Sequence, residues 1–222
     1  MTSSVINVLD KIKDSSIFED ELYFVGGTAL SYYINHRISE DIDITTLKVL
    51  DYRKLISVLV SFGAKKIEDE NTTALRLAGL FPDEYILKFI LDDVKIEFFQ
   101  ANRPIQKKIL KELSYTNYDN SNLKILDLKS IAKLKIVALF QREKSRDLFD
   151  FGSIIENKIL TLDEIISISS ELKNLSLKVE IIDFLSKKKE SKNDESVYLN
   201  EIDRLNLSFD EIKEKTIKLL SK

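Results

Sequence analysis

The segment Val25-Gly26-Gly27-Thr28-Ala29-Leu30, followed eleven residues later by Asp41-Ile42-Asp43-Ile44, constrains this chain more than any other. Leu22-Tyr23-Phe24-Val25 reads as a short buried strand ending in a glycine turn, and residues 28–36 read as a helix opening from it. Asp41 to Thr46, rich in β-branched residues, reads as a second strand. Alternate strand residues share a face, so Asp41 and Asp43 aim two carboxylates at one place. Like charges that close are costly unless a cation neutralises them, and a hard cation such as Mg²⁺ prefers oxygen ligands. A Gly-Gly turn at a helix start offers bare N–H groups that suit phosphate oxygens. The chain has only 5 glycines, and two stand together here. A phosphate cradle beside paired carboxylates points to chemistry on a nucleoside triphosphate.

The remaining composition narrows the class. The 222 residues are 44% hydrophobic, enough for one or two domains with a true core. Cysteine is absent, which excludes disulfides, thiolate zinc sites and a cysteine nucleophile. Charged residues make up 32% but nearly cancel at −3, so the broad basic signature of a non-specific nucleic-acid binder is missing. No run approaches the roughly 18 apolar residues of a membrane span, and a cytoplasmic protein is expected.

Apolar spacing predicts helices over 3–18 and over Tyr52 to Phe62, the second ended by Gly63. Ala64 to Glu70 and Thr73 to Gly79 read as paired strands around Glu70-Asn71, and Tyr85 to Leu91 with Val94 to Phe99 as a hairpin turning at Asp92-Asp93. Residues 105–112 read as a helix and 114–125 as an irregular polar stretch. Helical patterns then follow over 127–142, 146–156, 162–170, 176–187 and 209–220, with a charged linker over 187–195. The expected architecture is α+β: a mixed α/β sheet domain over residues 1–104, then a helical bundle over 105–222.

Two-cation chemistry on a triphosphate calls for a third carboxylate on the same sheet edge. Glu97 is the best candidate, a lone acid in Val94-Lys95-Ile96-Glu97-Phe98-Phe99 with its apolar neighbours on the opposite face. A charge inside such a strand is expensive unless it is paired or binds a cation.

The block Gly26-Gly27-Thr28-Ala29-Leu30 with Arg37-Ile38-Ser39-Glu40-Asp41-Ile42-Asp43 resembles the AbiEii/AbiGii toxin family of the DNA polymerase β-like nucleotidyltransferase superfamily. Lys135-Ile136-Val137-Ala138-Leu139-Phe140-Gln141-Arg142 with Arg146-Asp147-Leu148-Phe149-Asp150 resembles a second, helical block of the same family. The resemblance covers roughly residues 20–157. It implies an NTP-dependent, pyrophosphate-releasing transferase in which Gly26, Gly27 and Thr28 contact triphosphate, Arg37 and Ser39 steady the site, and Asp41, Asp43 and Glu97 hold Mg²⁺. Lys135 and Asp147 match functional positions, with Lys135 reaching nucleotide phosphate. It further implies a toxin with a cognate antitoxin or a role in phage defence, and tRNA or another RNA as acceptor. One departure stands out: the superfamily's third acid is usually Asp, and Glu97 is one methylene longer.

Plainer readings accompany these. His36 reads as a surface residue, Lys187-Lys188-Lys189 as a solvated helix end, Asp147 as a local partner of Arg142, Lys144 or Arg146, and Asp150 as sharing its face. Two other functional classes stay open: a nucleotide- or partner-binding module of the same fold without turnover, and a transferase acting on small molecules.

Overall fold

The computed structural model describes residues 1–68, 72–192, 194, 197–199 and 207–222. One seven-stranded mixed sheet organises it, built from β1 (Tyr23–Val25), β2 (Ile42–Thr46), β3 (Lys65–Ile67), β4 (Ile86–Leu91), β5 (Val94–Gln100), β6 (Tyr115–Asn117) and β7 (Lys124–Leu126). The spatial order is β3-β4-β5-β2-β1-β7-β6. Strands β2 and β5 run parallel at the centre, as do β1 and β7, and the other neighbours are antiparallel.

Side-chain alternation fixes which way the sheet faces. In β4 and β5 every second residue is buried, and Leu87, Phe89, Leu91, Val94, Ile96 and Phe98 form the apolar face. Helix α1 (Ser3–Ile12) packs against β5 and buries Val5, Val8, Leu9 and Ile12 in the same core. The intermediate positions of β5, namely Lys95, Glu97 and Phe99, occupy the other face with Asp43 of β2.

Helix α2 (Gly26–Ile34) leaves β1 with no intervening loop. It ends at Asn35, whose left-handed backbone (φ 45°) is the usual way a helix is closed. Helix α3 (Tyr52–Ser61) starts on an Asp51 cap. The β4–β5 hairpin turns at Asp92 and Asp93 with φ of 49° and 63°, the conformation a two-residue connection requires.

Two readings of the sequence are corrected in this half. Thr73 to Gly79 is not a strand: helix α4 (Thr72–Leu77) occupies it, and Arg76 binds Asp83 (2.7 Å) and Glu68 (2.9 Å). Ala74, Leu75, Arg76 and Leu77 are good helix formers whose short run mimics alternation. Strand β3 pairs instead with β4; the expected turn at Glu70-Asn71 lies outside the described residues. The stretch 114–125 is not irregular either. It carries β6 and β7, which extend the sheet through β1, so sheet residues continue past the expected division at residue 104. Three-residue strands with exposed polar ends are too short to show a period of two.

The helices of the second half are α5 (Pro104–Lys111), α6 (Leu128–Leu139), α7 (Ser145–Glu156), α8 (Leu162–Lys173), α9 (Lys178–Ser186) and α10 (Phe209–Ser221). Asp127 caps α6, accepting from the Ser130 N–H at 3.0 Å, and a Thr161–Glu164 capping box opens α8. Helix α6 touches α2, α5, α7 and α8, and so joins the bundle to the sheet half beside β1 and β2. Lys188 departs from its reading as a solvated residue. It is buried, its ammonium donates to the Arg142 carbonyl at 2.8 Å and stands over the Phe184 ring, and burial lowers its pKa.

Candidate active site

Gly26 opens α2 with φ +82°, a left-handed conformation that L side chains rarely adopt. A Cβ there would land on the Asp43 carboxylate, and a Cβ on Gly27 would come within 2.6 Å of the Arg37 guanidinium and 2.9 Å of the Ser39 hydroxyl. The glycine pair is therefore required by the approach of the acids and of the 37–39 loop to the start of the helix. Helix α2 holds that loop: the Thr28 hydroxyl donates to the Asp41 carbonyl, and the Ser31 hydroxyl to the Arg37 carbonyl at 2.8 Å.

Asp43 and Glu97 are direct neighbours in register on the parallel strands β2 and β5, and Asp41 immediately precedes β2. Burial pushes the Asp43 carboxyl up to about 6; Lys135 opposes this, while Glu97 and Asp41 add to it. Glu97 is paired with Lys95, two residues earlier on the same face, at 2.9 Å. Burial would lower the Lys95 pKa, but the Glu97 bond and the Glu97, Asp41 and Asp43 charges raise it.

Helices α6 and α7 supply the facing wall. Asp150 is fully buried and gathers three partners: Arg37 through two bonds of 2.7 and 3.0 Å, Lys135 at 2.8 Å and His36 at 2.7 Å. Burial alone would raise its pKa, but Arg37, Lys135 and the His36 bond hold it well below the usual carboxylate range. Asp147, also buried, accepts two bonds from Arg142, at 2.6 and 2.9 Å, and this pairing raises the pKa of the guanidinium against the effect of burial. The start of α7 is fixed by Asp194, which accepts from the Ser145 N–H at 2.8 Å and its hydroxyl at 2.5 Å.

The two walls enclose two adjoining cavities. A polar one of about 210 Å³ touches Gly27, Arg37, Ser39, Asp41 and Lys95, together with Lys144, Arg146 and Asp147. A more apolar one of about 270 Å³ is lined by Gly26, Phe99, Leu110, Ile131, Leu134 and Ala138, with Gln106 and Gln141 as polar points. Asp43, Glu97, Lys135 and Arg142 border both. The carboxylates thus stand between a cationic chamber sized for phosphate and an apolar chamber suited to a flat ring.

The donor chemistry suits a hard divalent cation such as Mg²⁺, because the Asp43 carboxylate is destabilised chiefly by burial, then by the charges of Glu97 and Asp41, and Glu97 stands beside it. As placed, no three carboxylate or imidazole groups among the described residues converge into a closed cage, and Glu97 is held by Lys95.

The structure brings together Gly26, Gly27, Arg37, Ser39, Asp41, Asp43, Glu97, Lys135 and Asp147 around these cavities. Thr28 is the exception: it is buried and serves the Asp41 backbone. His36 is corrected from a surface residue to a buried side chain that bonds Asp150 and stacks near Phe149, with ring centroids 6.1 Å apart. Asp150, read only as a neighbour of Asp147, is the hub of the facing wall. Lys95 was legible from its place two residues before Glu97, where strand alternation puts both on one face.

The chain matches the family described as nucleotidyl transferase AbiEii toxin, type IV TA system, over residues 8–215. An uncharacterized protein of Aquifex aeolicus (strain VF5) is 27% identical over 157 residues, 71% of this chain and 68% of that protein. Among solved structures, a protein of H. pylori described as a candidate nucleotidyltransferase aligns with a TM-score of 0.53 at 16% identity, covering 100% of this chain and 95% of that one. MenT4, a nucleotidyltransferase toxin from Mycobacterium tuberculosis H37Rv, aligns with a TM-score of 0.53 at 13% identity, covering 98% of this chain and 81% of that one. Both likenesses are of fold. With the family match spanning nearly the whole chain, this protein belongs to the AbiEii family of nucleotidyl transferase toxins.

Proposed function

We propose that this chain transfers the nucleoside monophosphate of an NTP to an acceptor hydroxyl in a Mg²⁺-dependent reaction, and that the acceptor is an RNA 3′ end such as that of tRNA. The observation that carries the reading is the in-register pair Asp43 and Glu97, set against a glycine turn that only glycine can make. The acceptor hydroxyl gives up its proton to water, its oxygen bonds the α-phosphorus, the bond from that phosphorus to the bridging oxygen breaks, and pyrophosphate leaves.

Each group has a role in this scheme. The start of α2 at Gly26 and Gly27 offers backbone N–H groups to phosphate oxygens. Arg37 and Ser39 fix the loop that delivers Asp41, and Lys135 and Arg142 face the developing charge from α6 and the turn after it. Asp41, Asp43 and Glu97 would hold Mg²⁺, which when bound activates the attacking hydroxyl and neutralises phosphate charge. The apolar cavity suits a stacked base, with Gln106 and Gln141 as hydrogen-bonding points.

As a toxin, such an enzyme would act on the cytoplasmic nucleotide and RNA pools and would be held in check by a cognate antitoxin, in keeping with a place in phage defence. Incubation with each labelled NTP, total RNA and Mg²⁺ tests the reading. Label is expected to migrate with an RNA species. Label on a small molecule would point to a different acceptor class, and binding of NTP with no transfer to any acceptor would contradict the proposal.

A further inference from the structure

The geometry points to Lys95 as a built-in counter-ion of the acid set, one that competes with the divalent cation for Glu97 and passes to the nucleotide phosphates once displaced. The inference rests on reading Asp41, Asp43 and Glu97 as cation-binding, and goes beyond it by assigning a role to a residue outside that set.

The Lys95 ammonium lies 2.9 Å from Glu97 Oε2 and lines the same polar cavity as Asp41, Asp43 and Glu97. Both side chains are partly exposed, 37% for Lys95 and 20% for Glu97, so the ammonium has somewhere to go. The other groups around Glu97 do not take this place. Lys88 is its cross-strand neighbour on β4 but does not border the cavity, and Lys135 on α6 is held by Asp150 at 2.8 Å. A carboxylate oxygen that accepts from an ammonium at this distance is not free to meet a cation along the same direction. The two ligands therefore compete at Glu97: the ammonium occupies Oε2, and its charge opposes a cation arriving at Oε1.

Displacement does not send Lys95 into solvent alone. Arg37, Arg142, Lys144 and Arg146 border the same chamber, so phosphate oxygens entering it would meet Lys95 within a lining that is already rich in cationic side chains. The release of Glu97 by Lys95 thereby couples cation binding to triphosphate binding.

Mn²⁺ titration of the nucleotide-free protein, followed by the electron paramagnetic resonance of free Mn²⁺, tests this. Lys95→Met and Lys95→Gln should bind Mn²⁺ about fivefold more tightly than the wild type, the size of one partly exposed ion pair removed from competition. Lys95→Arg should restore the wild-type affinity, and Lys11→Met, an equal charge change at an exposed site on α1, against the opposite face of the sheet, should leave it unaltered. With a non-hydrolysable NTP analogue present, the Met and Gln variants should lose nucleotide affinity by a similar factor. Two neutral variants guard against one failing to fold, and circular dichroism reports the fold of each. If Lys95→Met or Lys95→Gln binds Mn²⁺ no more tightly than the wild type, while Asp43→Asn abolishes binding, the counter-ion role is overturned and the cation site stands. If the folded wild type binds no Mn²⁺ at all, both fall.

Discussion

The Arg37 guanidinium meets the Asp150 carboxylate through two hydrogen bonds, 2.7 Å from Nε and 3.0 Å from Nη2, across 113 residues of chain. This pair ties the loop before the Asp41–Asp43 strand to α7, and Lys135 shares the same carboxylate. The two blocks of sequence that suggest chemistry are thus joined physically, through a buried ion cluster behind the cavities.

Replacing Asp150 should therefore damage the whole site. Asp150→Ala leaves Arg37 and Lys135 as buried, unpaired cations, and a loss of about 3 to 5 kcal/mol is expected from urea denaturation. Asp150→Asn keeps the shape and loses less.

The acid dependence of stability follows from the same residue. Its folded-state pKa lies well below the ordinary value of 3.8. A depressed carboxyl contributes stability that is fully present above its unfolded pKa and is lost as pH falls through that value toward the folded one. Denaturation midpoints should therefore drop steeply below about pH 4 in the wild type and less steeply in Asp150→Asn. Equal slopes would remove Asp150 from the account.

The glycines separate backbone strain from site geometry. Gly63 has φ +92° and open space around its Cβ position, so Gly63→Ala should cost about 1 kcal/mol and leave transfer intact. Gly26→Ala meets the same kind of strain and also drives into the Asp43 carboxylate. Steady-state kinetics should show it losing on the order of a hundredfold in kcat/KM or more, beyond any loss of thermal stability.

Glu97 asks whether the longer third acid is a working ligand. Glu97→Gln removes the charge beside Asp43 and should lower kcat by on the order of a hundredfold, whereas Glu97→Asp should retain part of the activity. Activity in Glu97→Gln matching the wild type would move the ligand elsewhere.

Much of this site was legible in the sequence, and for a physical reason. Gly26-Gly27, Asp41, Asp43 and Glu97 lie on elements whose local pattern dictates both their type and their facing, and the parallel pairing of β2 with β5 then sets Asp43 beside Glu97. What escaped was long-range. Nothing near His36 in the chain signals that Asp150, 114 residues away, will bury it. Strand Lys124–Leu126 exists because the edge of β1 offers it hydrogen bonds, and Tyr115–Asn117 because Lys124–Leu126 then offers its own free edge; neither run is long enough to show alternation. Lys188 reads as one of a run of three charges until α6 brings the Arg142 carbonyl to it.

Asp43 stands beside Glu97 and against Gly26, where nucleotidyl transfer would need a carboxylate. Transfer of label from an α-labelled NTP, measured in parallel for the wild type and for folded Asp43→Asn with Mg²⁺ present and removed by chelation, tests that role most directly. Transfer is expected from the wild type only when Mg²⁺ is present, and none from Asp43→Asn. Transfer by Asp43→Asn at the wild-type rate would contradict it.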